Sequence, residues 1–406
     1  MTSLLPDGGP KEPIEGSGQR PCIIYVSSSV YVFLSFFMER LEAMVRRGFE
    51  VVLISPEDGP MERFEALGVE HVRIPLGRTT DVGVAAVTWL LLTTQFIERK
   101  PVLVHSQTTT VHLVTAMAAR AAGVPVCVST VHGHFQTGLE HVMPGALAAP
   151  VSWACGAYYK QLAKLVDAYI VINSHEARWA QDFVDEDKLV WLRGGVGVQL
   201  GVFGGQSGRQ EARRRLRLEG RRVFGFVGRL IDHKARDVLK IADRIQRALP
   251  EATFLAVLLG QGEPELEQGL RQRVEEGRSI VVLRDRDHDE MPLVYRALDV
   301  LLLPSRREGA STVLMEAAAM RVPAVAYRIA GTQDIVDDGQ TGHLVELGAV
   351  EAAATAAVEL LRSPSRRREM GAAARAKAQA QFSRDAVCDE VFGLYDKLID
   401  QKIRWQ

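Results

Sequence analysis

The chain has 406 residues, 47% of them hydrophobic, which exceeds one ordinary core and fits two domains of about 200 residues each. Its 49 lysines and arginines nearly balance 50 aspartates and glutamates, so a net charge of −1 supplies no global attraction to nucleic acid. Cys22, Cys127, Cys155 and Cys388 lie far apart, with no CxxC pair and no histidine at zinc spacing, which points to a reducing compartment and no structural metal. Residues 1–20, rich in glycine, proline and charge, read as a disordered tail with no apolar signal segment. Short β-branched runs then alternate with longer helical patterns, as in a parallel sheet wrapped by helices. Strands are expected over 22–26, 51–54, 71–74, 103–105, 126–130 and 168–172. The helix between the first two, over 36–47, repeats its apolar residues every three or four positions and ends at Gly48.

The pattern breaks at the glycine-dense run 194–208, which reads as a linker. It then restarts, with strands expected over 223–227, 252–259, 280–283, 300–303, 324–327 and 342–345. Helices fall over 236–249, 292–298, 312–320 and, at the end of the chain, 382–406. The domain boundaries are therefore a tail (1–20), a first Rossmann-like domain (21–195), a linker (196–220) and a second Rossmann-like domain (221–385). A terminal helix over 386–406 is expected to return to the first domain. The fold class is α/β, two doubly wound halves facing across a cleft, with ligands at the carboxyl ends of the strands. No run of about 18 apolar residues exists, and the nearest, 143–159, is interrupted by Pro144, Gly145, Pro150 and Gly156. The basic runs 213–215 and 366–368 read as solvated helix faces.

The run Pro304-Ser305-Arg306-Arg307-Glu308-Gly309-Ala310-Ser311-Thr312-Val313-Leu314-Met315-Glu316 carries the strongest chemical signal. It leaves an apolar strand, turns at Gly309 and opens a helix whose first amides suit a diphosphate. Glu308 stands just before that helix and Glu316 one turn inside it, two carboxylates placed to accept from sugar and ribose hydroxyls. Arg229 and Lys234, after the first strand of the second domain, suit the charge on a departing diphosphate. In the first domain, Thr130-Val131-His132-Gly133-His134 ends a strand, and Gly133 permits close approach of a ligand to His132.

The 304–316 run resembles the two-glutamate motif of glycosyltransferase family 4, retaining enzymes of the GT-B fold that build bacterial surface polysaccharides. Gly228-Arg229-Leu230 with Lys234, Gly260-Gln261-Gly262, the stretch 289–305 and the distal segment 331–345 are similar to further elements of that family, in order. The resemblance is specific over 224–345 and looser over 22–197. It implies a donor site of Gly228, Arg229, Lys234, Gly260, Gly262, Arg284, Glu308, Gly309, Ala310, Ser311, Thr312 and Glu316. His132, Glu308, Arg229 and Lys234 would be the catalytic groups, and Ser27, Ser28, Ser29 and His134 would meet the acceptor. The serines stand where the family often has glycines, Gln199 where an aspartate is commoner, and Ala310-Ser311 where Phe-Gly or Leu-Pro is frequent.

The implied chemistry is transfer from a nucleotide sugar, a UDP-sugar before a GDP-sugar, to a hydroxyl of a glycan or polyprenyl-linked acceptor. No cofactor, metal or nucleic acid is implied. Asp285-Arg286-Asp287-His288-Asp289 contains Asp-x-Asp twice, but it precedes a helix at Pro292, and its acids are expected to cap that helix. A nucleotide-sugar epimerase and a non-catalytic nucleotide-sugar-binding subunit are the alternatives. A nicotinamide dehydrogenase is disfavoured, because no G-x-G-x-x-G follows the first strand of either half. The expected location is cytoplasmic, with peripheral contact at the inner membrane face through apolar, aromatic stretches at 89–96 and 135–159, followed by Lys160 and Lys164.

Overall fold

A computed structural model describes residues 20–76, 82–133, 145–205 and 208–403. Residues 1–19 of the expected tail, and His134, lie outside the described residues. The chain divides into two compact units, 1–196 with 387–406 and 197–386.

The first unit holds β1 (Cys22–Val26), β2 (Glu50–Ser55), β3 (Val69–Arg73), β4 (Leu103–Ser106), β5 (Val126–Val131), β6 (Ala168–Val171) and β7 (Leu189–Trp191). They form one parallel sheet in the order β3-β2-β1-β4-β5-β6-β7. β1, β4, β5 and β6 are buried at every residue, which explains their unbroken apolar runs: helices cover both faces of the sheet. The edge strand β7 is not among the expected strands, since three half-buried residues carry no alternation to read. The helix expected over 36–47 is two helices, Val30–Phe36 and Met38–Arg46, parted at Phe37. Gly48 ends the second with φ +89°, a conformation open to glycine. The terminal helix Arg384–Ile403 places Val387, Val391, Tyr395 and Leu398 in the core of this unit.

The second unit holds β8 (Arg222–Gly228), β9 (Ala252–Leu258), β10 (Ile280–Arg284), β11 (Val300–Leu303), β12 (Ala324–Tyr327) and β13 (Gly342–Val345). Their order is β10-β9-β8-β11-β12-β13, again parallel. Part of the expected linker 196–220 is integral to this unit: Val198, Phe203, Ala212 and Leu218 are buried in its core, and Arg209–Arg215 is a helix. Tight packing accounts for part of the glycine density there: a Cβ on Gly197 would lie 2.5 Å from the Arg384 Cα, whereas one on Gly201 would meet nothing within 4 Å. Residues 145–159 of the interrupted apolar stretch lie in one helix, Gly145–Leu165, and residues 143 and 144 lie outside the described residues. Among the described residues no helix is long and apolar enough to cross a membrane.

Candidate functional site

In the second unit the connections after β8 and β11 are held together at the carboxyl edge of the sheet. The Arg306 N–H donates to the His233 carbonyl (2.7 Å), and Lys234 Nζ donates to both Glu308 oxygens at 2.8 and 3.0 Å. The Arg306 guanidinium donates to Asp237 Oδ2 (2.8 Å), which also accepts from the Tyr327 hydroxyl (3.1 Å). Gly331 closes the other side: a Cβ there would lie 2.4 Å from the Glu308 carbonyl oxygen, so only glycine allows the two backbones this close. Two of the expected groups, Glu308 and Lys234, thus meet in one charge-assisted pair.

Helix Thr312–Ala319 follows, with the Ser311 hydroxyl accepting from the Leu314 N–H (3.4 Å) as its cap. Gly309, Ala310 and Thr312 flank that cap and are half-buried. Glu316 points inward, 8% exposed, and accepts from the Tyr295 hydroxyl at 2.7 Å. Burial raises its pKa to about 7, against the opposing pull of Tyr295 and Arg384. Arg229, just past Gly228, is exposed.

The glycine turn after β9 is fixed by an aspartate: the Gly260 N–H donates to Asp285 Oδ1 at 2.7 Å. Asp285 therefore serves that turn and not the helix it was expected to cap. Asp287 does cap the following turn, His288–Glu290, in a reciprocal arrangement with Glu290. Arg284 donates through Nη1 and Nη2 to Glu267 (3.1 and 2.5 Å), and a Cβ on Gly262 would strike the same Glu267 carboxylate.

In the first unit, the adjacent parallel strands β4 and β5 deliver Gln107 and His132 side by side at their carboxyl ends. His132 Nε2 lies 2.9 Å from Gln107 Oε1; an amide oxygen only accepts, so Nε2 carries the proton and Nδ1 keeps the lone pair. The Gln107 amide nitrogen contacts the His105 ring (3.1 Å), whose Nε2 meets the Thr130 hydroxyl (2.7 Å) and whose Nδ1 meets the Tyr395 hydroxyl. Burial, with the positive charge of Arg40 adding to it, lowers His132 to about 4, and His105 is pushed well below its ordinary value. Both rings are neutral near pH 7. Ser27 is buried with its hydroxyl donating to the Ser29 carbonyl (2.9 Å), and the Ser28 N–H donates to Thr108 Oγ1 (2.9 Å). Ser29 Oγ donates to Asp58 (2.7 Å), which also accepts the Val30 N–H at the start of its helix.

A family model described as Glycosyltransferase Family 4 matches residues 36–200, and one described as Glycosyl transferases group 1 matches 221–363. The chain belongs to glycosyltransferase family 4. The capsular polysaccharide biosynthesis glycosyltransferase CapM of Staphylococcus aureus is 23% identical over 374 residues, 89% of this chain and 93% of that protein. A D-inositol 3-phosphate glycosyltransferase of Corynebacterium aurimucosum is 30% identical over 245 residues; the match spans 58% of this chain and only 58% of that relative. A glycosyltransferase structure from Rickettsia africae superposes with a TM-score of 0.76 at 15% identity, covering 94% of this chain and 99% of that one. The architecture is the GT-B fold.

For this family-4 chain, several site neighbours escape reading from sequence. Tyr295, the partner of Glu316, sits on Met291–Ala297 among apolar residues and looks like core. Gln107 carried a usable signal, as a polar residue directly after a buried strand. Asp58 and Glu267 carried none, since each acts through a contact set only by the fold, Asp58 with Ser29 and Val30 and Glu267, on helix Pro264–Glu275, with Arg284 at the end of β10.

Proposed function

We propose that the chain moves a sugar from a nucleotide-sugar donor, a uridine nucleotide first, to a hydroxyl of a glycan or lipid-linked acceptor, with retention at the anomeric carbon. The observation that carries this reading is the pairing of Lys234 with Glu308 directly before the Ser311-capped helix, where Glu316 sits one turn further on. The helix start and Arg229 offer the positive field a diphosphate needs, while Lys234 adds a compact charge beside Glu308. Preorganised groups of this kind are each worth about 10²–10³ in rate. Glu308 would accept from the sugar and Glu316 from the ribose. His132, neutral with a free Nδ1 lone pair, suits a hydrogen bond from a donor-sugar hydroxyl.

The acceptor hydroxyl would attack the face the nucleotide leaves, with its proton passing to the departing phosphate oxygen, so no protein base and no metal are required. Likeness to a capsular polysaccharide enzyme along 89% of the chain supports a surface-polysaccharide acceptor reached at the inner membrane face. A thermal-shift screen of UDP-, GDP-, ADP- and TDP-sugars identifies the donor, because ligand bound to the folded state raises the melting temperature. Glu316→Ala is expected to abolish transfer while circular dichroism stays native; near-normal turnover in that variant sinks the assignment. Release of a modified nucleotide sugar without acceptor would show an epimerase instead, and donor binding without turnover a non-catalytic subunit.

A further inference from the structure

The two basic runs that read as solvated helix faces converge on one cavity. It has a volume of about 610 Å³ and lies wholly within the second unit. That size suits a small ligand. It opens at the amino ends of the strands, beside Asp299 before β11 and Pro323 before β12, the opposite edge of the sheet from Glu308. Six arginines line it, Arg209, Arg213, Arg296, Arg321, Arg367 and Arg368, against a single lining carboxylate, Asp299.

That carboxylate is already shared. Asp299 pairs with Arg209 (2.6 Å), Arg213 (2.7 Å) and Arg367 (3.3 Å), and it also accepts the Val223 N–H at 2.8 Å. Among the described residues, no carboxylate is paired with Arg296, Arg321 or Arg368. Arg296 goes further, for its Nε is buried with no hydrogen-bond partner. Gly205 leaves that guanidinium its space, since a Cβ there would lie 2.7 Å from Arg296 Nη2. Burial lowers the pKa of Arg209 and Arg367, and repulsion from neighbouring arginines acts in the same direction. An uncompensated set of planar, bidentate donors in a concave site is the arrangement that recognises phosphate.

We propose that this cavity is an anion-binding site that takes the phosphate group of a phosphomonoester or diphosphate, separate from the candidate donor site. Its one lining carboxylate is committed to three arginines, which leaves no free base for a reaction, so the site binds and does not transform. The inference does not rest on the proposed sugar transfer.

Calorimetric titration of the full chain with inorganic phosphate and with glycerol 3-phosphate tests it, beside sedimentation with phosphatidic acid vesicles. The decisive variant is Arg296→Gln/Arg321→Gln/Arg368→Gln, which leaves the Asp299 pairs intact; the exposed single change Arg368→Glu guards against a folding defect. Arg229→Ala/Lys234→Ala controls for anions held at the opposite edge. Binding at least about tenfold weaker in the triple variant than in the control pair is the expected result. Response to the soluble ester assigns the phosphate to a free metabolite, and response to vesicles alone assigns it to a lipid headgroup; both support the site. Equal binding by the triple variant and the wild type, binding as weak in the control pair as in the triple variant, or no binding of any probe at millimolar concentration would overturn it.

Discussion

Glu316 lies 8% exposed against Tyr295, and the same burial that aims it inward raises its pKa to about 7. The folded chain therefore holds a proton there between the ordinary carboxyl range and pH 7 that the unfolded chain releases. Its stabilising contribution is present at acid pH and fades as pH rises through about 7. Glu316→Gln keeps an acceptor for Tyr295 and removes the buried charge. It should raise unfolding free energy by roughly 1–3 kcal/mol at pH 8 and by little at pH 5, measured by urea denaturation at both. His132 runs the other way. Its depressed pKa of about 4 means that the unfolded chain binds the extra proton first, so stability falls as pH drops from about 6.5 toward 4. Gln107→Glu places a carboxylate beside the ring and should raise that pKa above 4, read by NMR titration of the imidazole. An unmoved value would mean that burial alone governs it.

At the scale of elements, the twelve strands expected from alternating runs are all present, because buried parallel strands announce themselves as short β-branched stretches between helical patterns. β7 and the break at Phe37 escaped, since each depends on what packs beside it. Glu308, Lys234 and Gly309 were legible as candidates for a related reason: they lie in the connections that leave β8 and β11, where a parallel sheet gathers ligand groups, whereas Glu316, inside helix Thr312–Ala319, was legible only as part of the 304–316 run. Gly331 was legible only as part of a motif, and its physical role appears in the contact it allows. A methyl group at that position would meet the Glu308 carbonyl oxygen at 2.4 Å and its carbonyl carbon at 2.6 Å, both rigid backbone atoms. Gly331→Ala should therefore displace the Glu308 loop, weaken donor binding by about tenfold and lower stability by roughly 1–3 kcal/mol. Donor affinity unchanged in that variant would separate the loop from the site.

At the scale of the whole molecule, the first unit carries an unevenly apolar surface. Helices Val82–Arg99, His112–Ala121 and Gly145–Leu165 pack side by side, the second touching both others. Val87, Leu90 and Ile97 on the first are 55–57% exposed, Met117 on the second is 48% exposed and Trp153 on the third reaches 77%. Exposed apolar side chains spread singly need no explanation, but a set shared by neighbouring helices marks a contact surface. Lys160 and Lys164 on the third helix supply cations for an anionic bilayer, and an indole suits the headgroup region. Of the stretches 89–96 and 135–159 expected to meet the membrane, Leu92 and Phe96 are buried and 135–144 lie outside the described residues, so we propose contact with the inner membrane face through the exposed side chains instead, Leu90 and Trp153 among them. Flotation with phosphatidylglycerol vesicles should recover the wild type and lose most of Leu90→Ser/Ile97→Ser/Trp153→Ser, while Lys160→Gln/Lys164→Gln should weaken binding chiefly at low salt. Transfer to a soluble glycan acceptor should survive in both variants, because none of these residues is among the candidate donor-site residues. Equal flotation of wild type and triple variant would remove the membrane from the account and leave a glycan free in solution as the acceptor to pursue.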